Sequence, residues 1–291
     1  MTYYDATSAQ HLIDLALHED LGHVGDVTSD CLWDESVQGH AVLHAKSNGV
    51  WCGADLFRQV FHTLDAKLNV QLSALDGKHF KAGDILADMH GSLGAILKGE
   101  RTALNFAGHL CGIATLTRQF VDRIAHTHTR ILDTRKTLPG YRALEKMAVH
   151  CGGGLNHRMG LHDAVLVKEN HIAGFKGTLS ELVQMYRIKR PDLTIEVEVE
   201  TLAQLQELIP GQPNRVLLDH FSLEDMRSAV ALCRLAGIQV EASGNMTLDR
   251  IAAVAETGVD FISVGALTHS APVSDLSLQI KTNLENTELS I

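Results

Sequence analysis

The chain of 291 residues has five prolines, two tryptophans and 5% aromatic residues, so neither a proline-rich extended segment nor an aromatic stacking surface dominates it. No apolar run approaches the roughly 18 residues that a membrane-spanning helix needs. The first ten residues, MTYYDATSAQ, lack the basic start and apolar stretch of a secretion signal. A cytoplasmic protein with no membrane association is expected. The five cysteines, Cys31, Cys52, Cys111, Cys151 and Cys233, are odd in number and contain no CxxC pair, which argues against a disulfide framework and a cysteine zinc site. Seventeen histidines are present, yet the pair in His126-Thr127-His128 has no helical HExxH companion. An excess of positive charge is also missing. The formal net charge is -10, which speaks against a duplex nucleic acid as partner.

What is present is a segregation of charge. Residues 130–168 hold seven Lys or Arg against three acids, whereas residues 191–291 hold fifteen acids against five bases. A basic patch concentrated in an acidic protein fits a small anion.

The rhythm of the chain changes near residue 130. Before it, an amphipathic helix is expected over about 8–22, with Leu12, Ile13, Leu15, Ala16 and Leu17 on its apolar side and Gly22 at its end. Short runs follow (HAVLHAK, LNVQL, DILADM) with a helix over 54–64, a pattern of antiparallel α+β structure. A long helix is expected over about 95–125, with Gly108 or Gly112 as points where it breaks. After Arg130, six short apolar runs (RILDT, AVLVKEN, TIEVEVE, RVLLDH, IQVEASGN, DFISVGA) alternate with helical stretches. Repeated βα units predict a parallel sheet covered by helices. Six strands fall short of the eight of a closed barrel, so an incomplete barrel of TIM-like type is expected. The reading is therefore α/β: an antiparallel α+β domain followed by an incomplete barrel domain.

Function in βα barrels sits at the carboxyl ends of the strands. There the chain offers Thr134, Arg135 and Lys136 after the first run, His157 and Arg158 after the glycines 152–154, and Lys168 after the second. Guanidinium forks and lysine point charges together suit a substrate with several anionic groups. Tyr141, Arg142 and Lys146, on the helix between, read as structural. In IEVEVE, Glu196, Glu198 and Glu200 share one face by the two-residue period of a strand. With Asp219 they could hold ribose hydroxyls, a divalent cation or a developing positive charge. Glu196 and Glu200 also fit an edge strand with solvent-facing acids, which leaves Glu198 and Asp219 as the stronger candidates. Ser243, Gly244 and Asn245, then Val264, Gly265 and Ala266, end the last two runs, where small residues before a helix bind phosphate. Cations, acids and a phosphate cradle together are what a phosphoribosyl transfer requires.

The segments EDLGHVGDVTSD, GERTALNF, DTRKTLPGYRALEKMAVHCGGGLNHRMGLHDAVLVKENHI, EVEVE, LLDHF, EASGN and VGALTHS resemble the quinolinate phosphoribosyltransferase family, the third segment with high specificity. The resemblance implies an N-terminal α/β sandwich domain over 1–112, an incomplete α/β barrel domain of TIM-like type over 113–274 and a tail over 275–291 packing back on the first, in an enzyme that joins quinolinate to phosphoribosyl pyrophosphate with decarboxylation, in the de novo synthesis of NAD. It implies quinolinate contacts from Thr134, Arg135, His157, Arg158 and Lys168, and from Arg101 of the other subunit of a homodimer. It further implies phosphoribosyl pyrophosphate contacts from Lys136, Glu198, Asp219, Ser243, Gly244, Asn245, Val264, Gly265 and Ala266, with magnesium (Mg2+) at Glu198 and Asp219. Lys136, Lys168, Glu198 and Asp219 would be the catalytic set. His220 departs from the family's usual Asn, and EDLGHVGDVTSD is one residue longer than the family's usual form. Competing readings are a paralogous transferase with another carboxylated acceptor, a Schiff-base aldolase using Lys168, and a non-catalytic phosphate-binding module.

Overall fold

The computed structural model describes residues 6–34 and 36–281. The chain divides into two compact units, one formed by the chain up to Thr115 together with the stretch from Ala271 onward, the other by Leu116–Ser270. Among the described residues no helix is long and apolar enough to cross a membrane.

The first unit holds strands β1 (Gln38–Ala45), β2 (Gly49–Val50), β3 (Asn69–Leu72), β4 (His79–Phe80) and β5 (Ile85–Ser92). A later strand, Leu276–Ile280, the last in the chain, returns to pair antiparallel with β1. The sheet runs from this last strand through β1 and β5 to β3. Alternation along β1 sends Ala41, Leu43 and Ala45 into the core, each at most 1% exposed, and turns His40 and His44 to the other face. The opening helix, Ala6–Leu21, buries Ala9, Ile13 and Leu17, which lie one turn apart. Leu15, expected on the apolar side, is 64% exposed. It stands two residues from Ile13 and Leu17, about half a turn round the helix. Residues 282–291 of the expected tail lie outside the described residues.

The long helix runs unbroken over Leu93–Arg123, through both glycines at which a break was expected. Those glycines serve close packing instead. A Cβ at Gly112 would lie 2.2 Å from the Pro272 carbonyl oxygen, and one at Gly108 would lie 3.1 Å from that of Ser274. A side chain at position 112 would displace the returning backbone.

The second unit is a six-stranded parallel sheet of β6 (Arg130–Leu132), β7 (Val165–Val167), β8 (Ile195–Val199), β9 (Arg215–Asp219), β10 (Gln239–Ser243) and β11 (Phe261–Ser263), with β12 the returning strand Leu276–Ile280 described above. Its order is β6-β11-β10-β9-β8-β7. β6 and β7 form the two edges and are not paired with each other, so the barrel is incomplete. Helices between the strands are set by local sequence. Thr178 and Thr201 each cap a helix in a reciprocal box with Glu181 and Gln204, and Gly237, in the left-handed conformation at φ 70°, ends Leu223–Ala236. One side of β8, Ile195, Val197 and Val199, is buried, each residue contributing about 1.5–3 kcal/mol. β8 is flanked by β7 and β9 and is not an edge. This corrects the solvent-facing alternative for Glu196, which is 4% exposed; Glu200, just past the strand, is exposed.

Candidate active site

A buried polar knot shapes the basic end of the barrel. Asp133 follows β6 and is fully buried, as is Lys146 on the helix Arg142–Cys151. The Lys146 ammonium donates to Asp133 Oδ1 and, at 2.8 Å, to the His157 carbonyl. Asp133 also accepts from Asn156 Nδ2 at 2.5 Å and from the His157 backbone N–H at 2.9 Å. Burial pushes the Asp133 carboxyl up and the Lys146 ammonium down, each opposed by its partner. The consequence is a fixed loop that presents His157 and Arg158. Lys146, read from sequence as structural, is what positions them.

The His157 ring is spoken for within the chain. Its Nδ1 accepts from the Arg158 backbone N–H at 2.8 Å, so the neutral ring carries its proton on Nε2, 3.1 Å from Glu196 Oε2 and 3.6 Å from Glu241 Oε1. Burial holds His157 below the usual imidazole range. Glu241 is fully buried and accepts from Arg215 at 2.9 Å. Burial and the neighbouring Glu196 push its carboxyl up to about 7, and burial raises Glu196 as well. A carboxyl raised by folding stays neutral in the folded chain while the unfolded chain ionises. The stability it leaves intact at low pH is therefore lost between about pH 4.5 and 7. Glu241→Gln is expected to be ~1–3 kcal/mol more stable than the parent at pH 8 and about equally stable at pH 4. Urea unfolding at the two pH values checks this; a gain of the same size at both would refute the buried-charge account.

Above this floor lie two adjoining cavities. The first, of about 320 Å³, is lined by Arg135, His157 and Arg158, with Leu166 and Leu217 as its apolar wall and Glu241 among its lining. The second, of about 540 Å³, is lined by Asp219, His220, the loop 243–247, Gly265, Ala266 and His269. Thr134, Lys136, Lys168, Glu198, Ser243 and Ser263 line both. Arg135 and Arg158 keep a buried Nε with no partner, Arg158 Nη1 donates to the Ala164 carbonyl at 3.1 Å, and burial, helped by the charge of Arg135, lowers Arg158. Two neighbouring guanidinium groups, each with an unsatisfied Nε, favour an anion. Lys168 Nζ donates to Glu198 Oε2 at 2.5 Å. Burial nevertheless raises the Glu198 carboxyl, and the nearby Asp219 charge adds to the rise. Asp219 accepts from Ser243 Oγ at 3.1 Å and lies 2.8 Å from His220 Nδ1.

The loop ends were expected to lead straight into helices. After Ser243 the chain instead turns through left-handed Gly244 (φ 98°) and Asn245 (φ 45°), and the next helix starts at Ile251. A Cβ at Gly244 would lie 2.9 Å from the His220 ring, and one at Gly265 would lie 3.1 Å from Lys136 Cδ. Both glycines keep the second cavity open. His220 is itself left-handed at φ 56°, a conformation that Asn adopts readily and His tolerates. Val264 is buried and its N–H is committed to the Leu132 carbonyl, so it does not join the lining of either cavity. Arg101 is exposed on the long helix in the first unit. His126 and His128 lie 3.1 Å from Glu256 and 3.8 Å from Asp260, respectively.

Glu241, Arg215, Ser263, His269 and the Asp133–Asn156 pair escaped the sequence reading. Only Glu241 had left a signal: in QVEAS it stands two residues before Ser243, on the same strand face.

Residues 113–279 match the family description "Quinolinate phosphoribosyl transferase, C-terminal domain" and residues 26–111 its N-terminal domain. The chain is 45% identical over 270 residues, 92% of its length and 90% of the relative's, to a probable nicotinate-nucleotide pyrophosphorylase [carboxylating] from Synechocystis sp.. It is 39% identical to one from Bacillus subtilis, over 93% of this chain and 92% of that one. The solved nicotinate-nucleotide pyrophosphorylase from Francisella tularensis superposes with a TM-score of 0.90 at 37% identity, covering 96% of this chain and 98% of that one. With both domains matched and the likeness running through nearly the whole length, this chain belongs to the quinolinate phosphoribosyl transferase family.

Proposed function

We propose that the chain transfers the phosphoribosyl group of phosphoribosyl pyrophosphate to the nitrogen of quinolinate, releasing pyrophosphate and carbon dioxide and leaving nicotinate mononucleotide. The observation that carries this reading is the pair of adjoining cavities with opposite chemistry. The guanidinium groups of Arg135 and Arg158, each with an unsatisfied Nε, match the two carboxylates of a planar dicarboxylate. The apolar wall of Leu166 and Leu217 suits its ring. The larger cavity, with Glu198, Asp219 and the open loop at Gly244 and Gly265, suits ribose hydroxyls and a 5′-phosphate.

Lys136 and Lys168 stand where the cavities meet, so their charge acts on both substrates. Arg135 and Arg158 hold the ring and aim its nitrogen at C1 of the ribose. As the bond to pyrophosphate lengthens, positive charge grows on the sugar, and the carboxylates of Glu198 and Asp219 stabilise it. The bond from C2 to its carboxylate then breaks, carbon dioxide leaves, and the electron pair left on C2 takes a proton from water to give nicotinate mononucleotide. His157, with both ring nitrogens engaged by Arg158 and Glu196, shapes the acceptor cavity.

Magnesium fits the donor set. Glu198 and Asp219 feel each other's charge and both line the larger cavity; two carboxylates plus substrate phosphates are the usual way this hard cation is held. Bound there, it would offset the charge of the departing pyrophosphate. One reaction mixture tests the reading: protein, quinolinate, phosphoribosyl pyrophosphate and magnesium, with carbon dioxide and nicotinate mononucleotide measured. A folded protein giving neither product would overturn it.

The exposed Arg101 supports a shared site, in which a homodimer supplies this guanidinium from the other subunit. Arg101→Ala and Lys168→Met are then each inactive alone. Unfolded together and refolded as a mixture, they should regain about a quarter of the parental activity. Half of the dimers are then mixed, and each mixed dimer has one intact site of two. A mixture that stays inactive, from variants that refold singly, would exclude the shared site.

A further inference from the structure

Two imidazoles and a carboxylate converge on the sheet of the first unit, outside the two cavities. His40 on β1 stands directly opposite His90 on β5 in the antiparallel register. Asp88 lies two residues from His90, hence on the same face. His40 Nε2 is 3.1 Å from Asp88 Oδ2, and His90 Nε2 is 2.8 Å from Asp88 Oδ1. The rings stack with centroids 4.0 Å apart and planes 17° from parallel. One ligand atom from each residue falls within 4.8 Å of the others.

We propose that His40, Asp88 and His90 form a binding site for a divalent transition-metal ion such as Zn2+, with water completing its coordination. The donor set decides the class of ion. Two imidazole nitrogens and one carboxylate oxygen suit zinc, cobalt or nickel, whereas magnesium and calcium take oxygen ligands. Geometry agrees. Ligands about 2.0–2.1 Å from a tetrahedral zinc are roughly 3.3–3.4 Å apart. The nitrogen–oxygen separations, 3.1 Å to Oδ2 and 2.8 Å to Oδ1, are somewhat shorter than that and all three ligand atoms lie within 4.8 Å of one another, so side-chain rotation that opens the two ion pairs would admit an ion between them.

The backbone beneath is fixed. β1 and β5 are the two inner strands of the four-stranded sheet, so the ligands are held by a ladder paired on both sides. The side chains are 34%, 38% and 53% exposed for His40, Asp88 and His90, open enough for an ion and its waters to enter. Asn69 and Gln71 on β3 register with His90 and Asp88, which places two amide residues next to the ligands on the neighbouring strand. As a clamp alone the cluster would contribute little, because solvent screens half-exposed pairs of this kind.

Titration of the full chain with Zn2+ alone, in chelator-free buffer at pH 7.5, is expected to show one site with a Kd on the order of micromolar. His90→Ala and Asp88→Asn should each weaken that site at least tenfold while leaving circular dichroism unchanged. Co2+ in place of Zn2+ should give a visible absorption band that both variants lose. The remaining fifteen histidines provide the control: any zinc they hold persists in the variants. Equal stoichiometry and affinity in parent and variants, or no zinc bound by the parent, would overturn the assignment.

Discussion

Lys168→Met is expected to fold as the parent does and to lose about 10²–10³ in kcat, the usual cost of removing one group that stabilises transition-state charge. The Lys168 side chain is 44% exposed, so its loss leaves no cavity and stability should change little. What it removes is a positive charge that lines both cavities, as Lys136 also does, and that donates to Glu198 at 2.5 Å. Without it, Glu198 gains freedom to move and the departing pyrophosphate loses a counter-charge. The effect should fall on kcat more than on the KM for quinolinate, because Arg135 and Arg158 remain. Lys168→Arg should recover only part, since a planar fork cannot reproduce a compact ammonium. Steady-state pyrophosphate release against circular dichroism decides the matter: a folded Lys168→Met within tenfold of the parent would remove Lys168 from the mechanism.

The charged residues facing the cavities were legible because barrel topology converts a one-dimensional pattern into a place. A short apolar run followed by polar residues marks a strand end, and Arg135, Lys136, Lys168, Glu198 and Asp219 were found that way, while Arg158 was marked by the glycines 152–154 before it. What escaped depends on which strands are neighbours. Glu196 shares a face with Glu198 by period alone, but its burial follows from β7 and β9 flanking β8, which no local pattern states. Gly108 and Gly112 carry the low helix propensity that suggests a break; only the returning chain at 272–274 shows why they are there. Val264 sits in a sequence context like that of Gly265, yet its N–H is committed across the sheet to Leu132. The partnership of Asp133 with Lys146 joins the end of a strand to the face of a helix thirteen residues on, a spacing that fits neither strand nor helix periodicity.

That partnership carries the largest stability effect expected in the molecule. Lys146→Met leaves the Asp133 carboxylate fully buried with no cation, and breaking a buried pair in this way costs about 3–5 kcal/mol. For a protein of this size each 1 kcal/mol moves Tm by roughly 2–4 °C, so a fall on the order of 10 °C is expected. The loss should deepen as pH rises. Burial already pushes Asp133 up, and without Lys146 only a protonated Asp133 is tolerated inside, while the unfolded chain ionises freely. Adding Asp133→Asn to Lys146→Met removes the stranded charge and keeps an oxygen to accept the His157 N–H, so the double variant should be more stable than Lys146→Met alone. The coupling energy from the four-protein cycle should reach at least 2 kcal/mol. Function should follow position: with the Lys146 bond to the His157 carbonyl gone, the loop bearing His157 and Arg158 loosens, and the KM for quinolinate rises more than the KM for phosphoribosyl pyrophosphate. Additive stabilities and equal changes in the two KM values would mean that the knot neither pairs as described nor positions the acceptor site.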